Sequence, residues 1–396
     1  MPLINRRQLL LAGAALSVAP VRAQHADTPR FVLVLLRGGL DGLSAVPAPG
    51  DPAFAEARGP LADFSAFDTA PHPLDGPFAL HPLLPQLHAL HGRGELAVVH
   101  ATGLPYRERS HFDAQNVLEH GGTRPHERAT GWLARALPHL GGARAVALDT
   151  AVPLVLRGAA AVDTWAPSTL PEPDADLLGR LAALWQADPM LAAALVRARG
   201  LRDEPGMAGA LAAPMPGGRA GGPAAGRRAV VGLAQRAAEF LQRGATVAVL
   251  DMPGWDSHAN QGAPGGATSN NLRTLDAALD ALRSGLQAGG TWGRTVVVVA
   301  TEFGREVAVN GTLGTDHGSG GAAFVLGGAV RGGRVLADWP GLARAQRHEG
   351  RDLRITTDLR AVFRTVLAEH LRVPRAALDT EVLPGTAGLP LLPLLA

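Results

Sequence analysis

Four short stretches of the chain gather the residue types that do hydrolytic or metal chemistry. They are Arg37-Gly38-Gly39-Leu40-Asp41-Gly42-Leu43-Ser44, Asp251-Met252-Pro253-Gly254-Trp255-Asp256-Ser257-His258-Ala259-Asn260, Thr301-Glu302-Phe303-Gly304-Arg305 and Thr315-Asp316-His317-Gly318-Ser319-Gly320-Gly321. All four carry a carboxylate, and two add a histidine. Imidazole and carboxylate together suit zinc, manganese or iron, and further carboxylates move the preference toward harder ions. The candidate ligands are Asp41, Asp251, Asp256, His258, Glu302, Asp316 and His317, for one or two divalent ions (Zn, Mn, Mg or Ca). Taken singly, each Asp, Gly or Ser here is an ordinary turn residue. What points to a shared site is that every stretch adjoins an apolar run of strand length.

A fifth stretch, Tyr106-Arg107-Glu108-Arg109-Ser110-His111-Phe112-Asp113-Ala114-Gln115, opens a helix expected to run to Glu119, with Ser110 at its N-cap. An N-cap serine ordinarily accepts a backbone N–H. A helix start also favours an anion or a hydroxyl nucleophile; position alone favours the cap, and the neighbouring carboxylates and histidines make Ser110 a competing candidate nucleophile, with Arg109, Arg37 or Arg305 to steady the charge of a departing anion. Whether His111 faces such a site or the core is left open by the sequence.

These residues need a scaffold that brings distant loops to one edge. Phe31 to Leu36 is a continuous apolar run, the pattern of a strand buried on both faces of a parallel sheet, and similar runs recur at Glu95 to Ala101, Ala245 to Leu250, Thr295 to Ala300 and Ala322 to Leu326. Between the third and fourth, Leu272, Leu275, Leu279, Leu282 and Leu286 form one helical stripe, which predicts a βαβ crossover. The fold class is therefore α/β, a mainly parallel central sheet with helices on both faces. In such sheets ligands bind beyond the carboxyl ends of the strands, where the polar stretches lie. Asp174 to Arg199 has an amphipathic helical pattern, Pro205 to Gly226 reads as a Gly/Pro/Ala-rich loop, and Thr357 to Leu371 as a last packing helix with a loose Pro/Leu tail. Residues 174–226 are read as an insertion in one domain spanning 24–396.

Composition removes whole classes of chemistry. The chain has no Cys and all 37 of its basic residues are Arg. Disulfides, Fe–S clusters, thiolate nucleophiles, Schiff bases and a Walker-type lysine are excluded. No basic tract suits a nucleic acid. At the N-terminus, Asn5-Arg6-Arg7-Gln8-Leu9-Leu10 precedes an apolar run to Ala19, broken by Pro20. This is the layout of a signal peptide with paired arginines, expected to be cleaved after Ala23. Its loss takes Arg6, Arg7 and Arg22 and moves the formal charge from +2 to −1. The expected partner is the twin-arginine export machinery, the expected location periplasmic or secreted, and no later segment is apolar enough to span a membrane.

In their order along the chain, the stretches beginning at Leu36, Arg109, Gly254, Thr301 and Thr315 resemble the exported bacterial family known as domain of unknown function 1501. That family is similar to the alkaline phosphatase superfamily, which includes sulfatases. The resemblance implies an alkaline-phosphatase-like fold with metals at the strand ends, Ser110 as nucleophile, Asp251 or Asp256 with His258 as a metal pair, and Asp316 and His317 completing the shell. Two departures stand out: Glu302-Phe303 replaces the superfamily's Asp-His, which removes an imidazole, and the first strand's carboxylate must come from Asp41. The expected function is a metal-dependent hydrolase of phosphate or sulfate esters. The competing reading is an exported metal-binding or assembly protein that keeps the fold without turnover.

Overall fold

The computed structural model describes residues 28–158, 162–167, 174–203 and 222–396. The signal-peptide reading and residues 204–221 of the Gly/Pro/Ala-rich stretch lie outside them. Among the described residues eleven strands are formed: β1 (Arg30–Leu36), β2 (His72–Pro73), β3 (Ala79–Leu80), β4 (Leu96–Gly103), β5 (Ala145–Ala147), β6 (Val162–Thr164), β7 (Val247–Met252), β8 (Thr295–Thr301), β9 (Gly321–Leu326), β10 (Arg334–Leu336) and β11 (Thr357–Asp358). The longer helices are α1 (Pro85–Gly92), α2 (His111–His120), α3 (Ala175–Trp185), α4 (Pro189–Asp203), α5 (Gly222–Gln242), α6 (Ala267–Ala288) and α7 (Leu359–Thr365).

Nine strands make one sheet in the order β10-β4-β9-β8-β1-β7-β5-β6, with β11 beside β4. β1 is central and pairs in parallel with both β7 and β8, so β7-α6-β8 is the expected crossover, passing over β1. Alternation along β1 sends Val32, Val34 and Leu36 into one core and Phe31, Leu33 and Leu35 into the other. The first core packs α1, α5 and α6, including the whole leucine stripe from Leu272 to Leu286; the second packs α2 and α7. Each fully buried leucine contributes about 1.5–3 kcal/mol. The sheet is thus mainly parallel and covered on both faces.

Within the nine-stranded sheet of the described residues, β9 alone runs against its neighbours, antiparallel to both β4 and β8. This reversal positions the site. The Thr315–Gly320 stretch precedes β9, so only an antiparallel strand brings it to the edge where β1, β7 and β8 end.

Several expectations are corrected in detail. β7 extends to Met252, and Asp251 pairs with Leu35 within the ladder rather than following it in a loop. The predicted helix from Asp174 is two helices, because Pro189 cannot continue α3 and Asp188 caps the second by accepting from Met190 and Leu191 N–H. Residues 222–226 belong to α5. The C-terminal tail is not loose: Leu378, Val382, Leu383 and Leu394 are buried in the second core. Among the described residues no helix is long and apolar enough to cross a membrane.

Candidate metal centre

Three imidazoles and one carboxylate converge beyond the carboxyl ends of β1 and β8. Asp256 Oδ1 lies 2.9 Å from His258 Nε2, 3.1 Å from His317 Nε2 and 3.4 Å from His111 Nε2. His317 Nε2 is in turn 3.0 Å from His111 Nε2 and 3.1 Å from His258 Nε2.

What surrounds each ring fixes its tautomer. His111 Nδ1 donates to Glu302 Oε1 at 2.8 Å, His258 Nδ1 to Asp316 Oδ1 at 3.0 Å, and His317 Nδ1 to the Arg109 carbonyl at 3.0 Å. A neutral imidazole whose Nδ1–H is given to oxygen presents a bare lone pair at Nε2. Three lone pairs and a carboxylate oxygen therefore point at one another, a repulsive arrangement that a cation resolves. Ligands about 2.0–2.1 Å from zinc at the corners of a tetrahedron stand about 3.3 Å apart, which the observed separations approach. An oxygen behind each ligating histidine is the usual outer support of a metal site. His111, Asp256 and His317 have ligand atoms close enough to hold one ion, and His258 Nε2 lies 2.9 Å from Asp256 Oδ1 and 3.1 Å from His317 Nε2.

The protonation directions favour an ionised Asp256 and a neutral His317, whereas His111 is drawn toward its protonated form. Burial would raise Asp256, but its hydrogen bond and ion pair with Arg305 (2.7 Å) hold it down at about 2. The hydrogen bond to Glu302 raises His111, while burial, and then the charge of His111, lowers His317.

Local backbone delivers these groups. Gly38 has φ of +118°, and a Cβ there would collide with Asp256 N, so the loop after β7 lies directly on the turn after β1. Gly38 N–H also donates to Glu302 Oε1 at 2.8 Å. Arg109 is held at φ +60°, which turns its carbonyl to His317, and its guanidinium is anchored on Asp352 at 2.8 Å. Phe303 packs its ring on both His111 and His317.

Of the expected ligands, Asp256, His258 and His317 are brought together. Asp316 and Glu302 stand one layer out, each holding a histidine. Asp41 is not in the cluster. Its side chain is buried against Arg58 (2.5 Å), accepts from Ser44 Oγ and Gln261 Nε2, and caps the short Gly42–Ala45 helix. Asp251 is also apart: its place in the ladder turns it to Arg37 at 2.8 Å, and burial raises it to about 6 against that pairing. Ser110 occupies the N-cap of α2, but its hydroxyl makes no cap bond. All three candidate arginines are engaged with carboxylates: Arg37 with Glu119 and Asp251, Arg109 with Asp352 and Glu349, Arg305 with Asp256. The residue the sequence did not assign is His111. The available signal was its position in the first turn of a helix that already carried Ser110, where a side chain follows the helix axis out toward the sheet edge.

Similarity to solved structures is distant. The PsFucS1 sulfatase from Pseudoalteromonas sp. is 13% identical, with 94% of this chain and 73% of that one covered and a TM-score of 0.44. The phosphonate monoester hydrolase of Agrobacterium radiobacter is 13% identical, with coverages of 87% and 74% and a TM-score of 0.41. The C-terminal periplasmic domain of EcEptC from Escherichia coli, in complex with Zn, is 11% identical, with coverages of 77% and 74% and a TM-score of 0.37. No curated protein matches the chain. A family model does match, over residues 97–380, well above half the chain and including α2, β7, β8 and the His317 stretch; the chain belongs to the family described as Protein of unknown function (DUF1501).

Proposed function

We propose that this protein is a metal-dependent hydrolase of phosphate or sulfate esters, exported through the twin-arginine machinery and acting in the periplasm or beyond after loss of residues 1–23. His111, Asp256, His258 and His317 would hold one divalent ion. A donor set of three imidazoles and one carboxylate favours zinc or another first-row transition metal over magnesium or calcium. The observation that carries this reading is the set of three Nε2 lone pairs facing Asp256 Oδ1, each fixed by an oxygen on the opposite ring nitrogen.

When bound, such an ion polarises an ester oxygen and lowers the pKa of a nearby hydroxyl. The rest falls to the chain. Ser110, between the residue whose carbonyl holds His317 and the ligand His111, offers a hydroxyl at a helix start that is not used as a cap. The field of the α2 N-terminus favours its deprotonated form. Attack by Ser110 Oγ on phosphorus or sulfur would release the alcohol of the ester, which takes up a proton, and water would then free the anion from the serine. Arg305 keeps Asp256 ionised and in place.

One observation favours the non-catalytic alternative: no candidate arginine is free of a carboxylate partner, so an arriving anion would have to compete for it. Turnover of 4-nitrophenyl phosphate or sulfate by the zinc-loaded mature protein decides between the two. The hydrolase reading expects activity that Ser110→Ala abolishes while zinc content is kept. Stoichiometric zinc with no turnover of any ester in a broad screen would leave the metal-binding alternative, and full activity in Ser110→Ala would move the nucleophile to water.

A further inference from the structure

The carboxyl ends of β5 and β7 open into a second cleft, of about 680 Å³, a size usual for small-molecule sites. Its apolar wall is made by Leu148 and Met252 from the strand ends and by Val230 and Leu233 from α5. None of His111, Asp256, His258 and His317 lines it. The turn after β1 separates the two sites: Arg37 lines the cleft, while the next residue, Gly38, packs on Asp256.

Charge is divided within the cleft. Parallel pairing sets Ala147 opposite Val249, so two residues further on Asp149 and Asp251 come level at the ends of β5 and β7, and both line the cleft. The charge of Arg37 is already met by Glu119 and Asp251, at 2.7 and 2.8 Å. Asp149 has no arginine. Its Oδ1 accepts from Thr150 N–H and Oγ1, and among the described residues its Oδ2 has no partner. The strand ends therefore carry surplus negative charge; burial, and in smaller part the charge of Asp149, raises Asp251.

Positive charge comes from the helices instead. Ala267 and Asn270, in the first turn of α6, line the cleft, and the N-cap of that helix, Gly266, has no side chain to satisfy its first N–H groups. Arg227, exposed on α5, lines the same cleft and has no carboxylate partner among the described residues.

We propose that this cleft binds an amphipathic zwitterion of the kind of an apolar α-amino acid, with its ammonium on Asp149 and Asp251, its carboxylate at Arg227 and the start of α6, and its side chain on the apolar wall. A purely cationic ligand would leave Arg227 unmet, and a purely anionic one would be repelled by Asp149. The assignment needs neither the metal ion nor ester hydrolysis.

Phenylalanine, phenethylamine and 3-phenylpropionate share the phenyl group and differ in which charge is missing. Calorimetric titration of the mature protein should show phenylalanine bound about tenfold or more tightly than either analogue, the worth of one charge-assisted hydrogen bond. Asp149→Asn should reduce the advantage over 3-phenylpropionate to about threefold or less and leave the advantage over phenethylamine, and Arg227→Gln should do the reverse. A side chain that only supported the fold would lower all three affinities together. Phenylalanine that fails to bind at millimolar concentration overturns the proposal, as does either analogue binding as tightly as phenylalanine. Ratios left unchanged by both variants, as chelation at the metal centre would give, overturn it equally.

Discussion

Replacing Glu302 by glutamine separates the support of the metal centre from the stability of the fold. The Glu302 side chain is fully buried. Its Oε1 accepts from Gly38 N–H at 2.8 Å, His111 Nδ1 at 2.8 Å and Gln115 Nε2 at 3.0 Å, while Oε2 faces Thr301 Oγ1 at 3.0 Å. A glutamine carbonyl can accept the same three donors. Its amide nitrogen would then meet Thr301 Oγ1, which donates to the Leu36 carbonyl and has a lone pair to spare beyond the one taken by Leu40 N–H. The amide carries two N–H groups, one met by Thr301 Oγ1 and the other without an acceptor, so the metal-free variant should lose about 1–3 kcal/mol of stability, the cost of one stranded buried donor. What also changes is charge. A carboxylate behind His111 makes its Nε2 a stronger ligand, and losing such a partner typically weakens metal binding 10–100-fold, about 1.4–2.7 kcal/mol. Competition with a chromogenic chelator measures zinc affinity, and urea unfolding of the metal-free proteins measures the fold. Unchanged zinc affinity in Glu302→Gln would refute the role given to Glu302, and with it the placement of His111 as a ligand.

Two further expectations concern the scaffold. Arg58 and Asp41 form a fully buried ion pair under the turn after β1, so Arg58→Met should cost about 3–5 kcal/mol by leaving a buried charge, and adding Asp41→Asn should recover part of it; denaturation of the single and double variants checks this, and a loss below about 1 kcal/mol would show that Gln261 and Ser44 suffice. His100 is buried, donates from Nε2 to the Val46 carbonyl, and is lowered to about 4 chiefly by burial. A depressed folded-state pKa gives stability that is complete above the unfolded value near 6.5 and is lost as pH falls toward 4, on the order of 3 kcal/mol in all. The difference in unfolding free energy between wild type and His100→Gln should shrink by about that amount from pH 7 to pH 4; a pH-independent difference would mean that His100 does not stay neutral.

The sheet was legible because its strands are buried on both faces. Phe31 to Leu36 has no polar residue to blur the pattern, Thr295 to Ala300 has only the threonine at its start, and the leucine stripe from Leu272 has only one way to pack. The reversal of β9 was not legible, since a doubly buried strand has the same composition in either direction. Following strand ends led to Asp256, His258 and His317, which the fold gathers at one point. It also led to Asp251, which the fold leaves apart because the strand runs two residues past its apolar core and takes Asp251 into the ladder. It could not separate Asp41, an N-cap with a buried arginine partner 17 residues away, from a ligand. His111 was hidden for another reason. It comes from a helix start rather than a strand end.

The central claim is that four side chains, His111, Asp256, His258 and His317, hold one metal ion. Elemental analysis of the mature protein, purified from its own export route without chelator, tests it most directly alongside His111→Ala and Asp256→Asn. One transition-metal ion per chain in the wild type, lost or strongly depleted in both variants, is the predicted result. A metal-free wild type, or a His111→Ala variant that keeps its full complement, would contradict it.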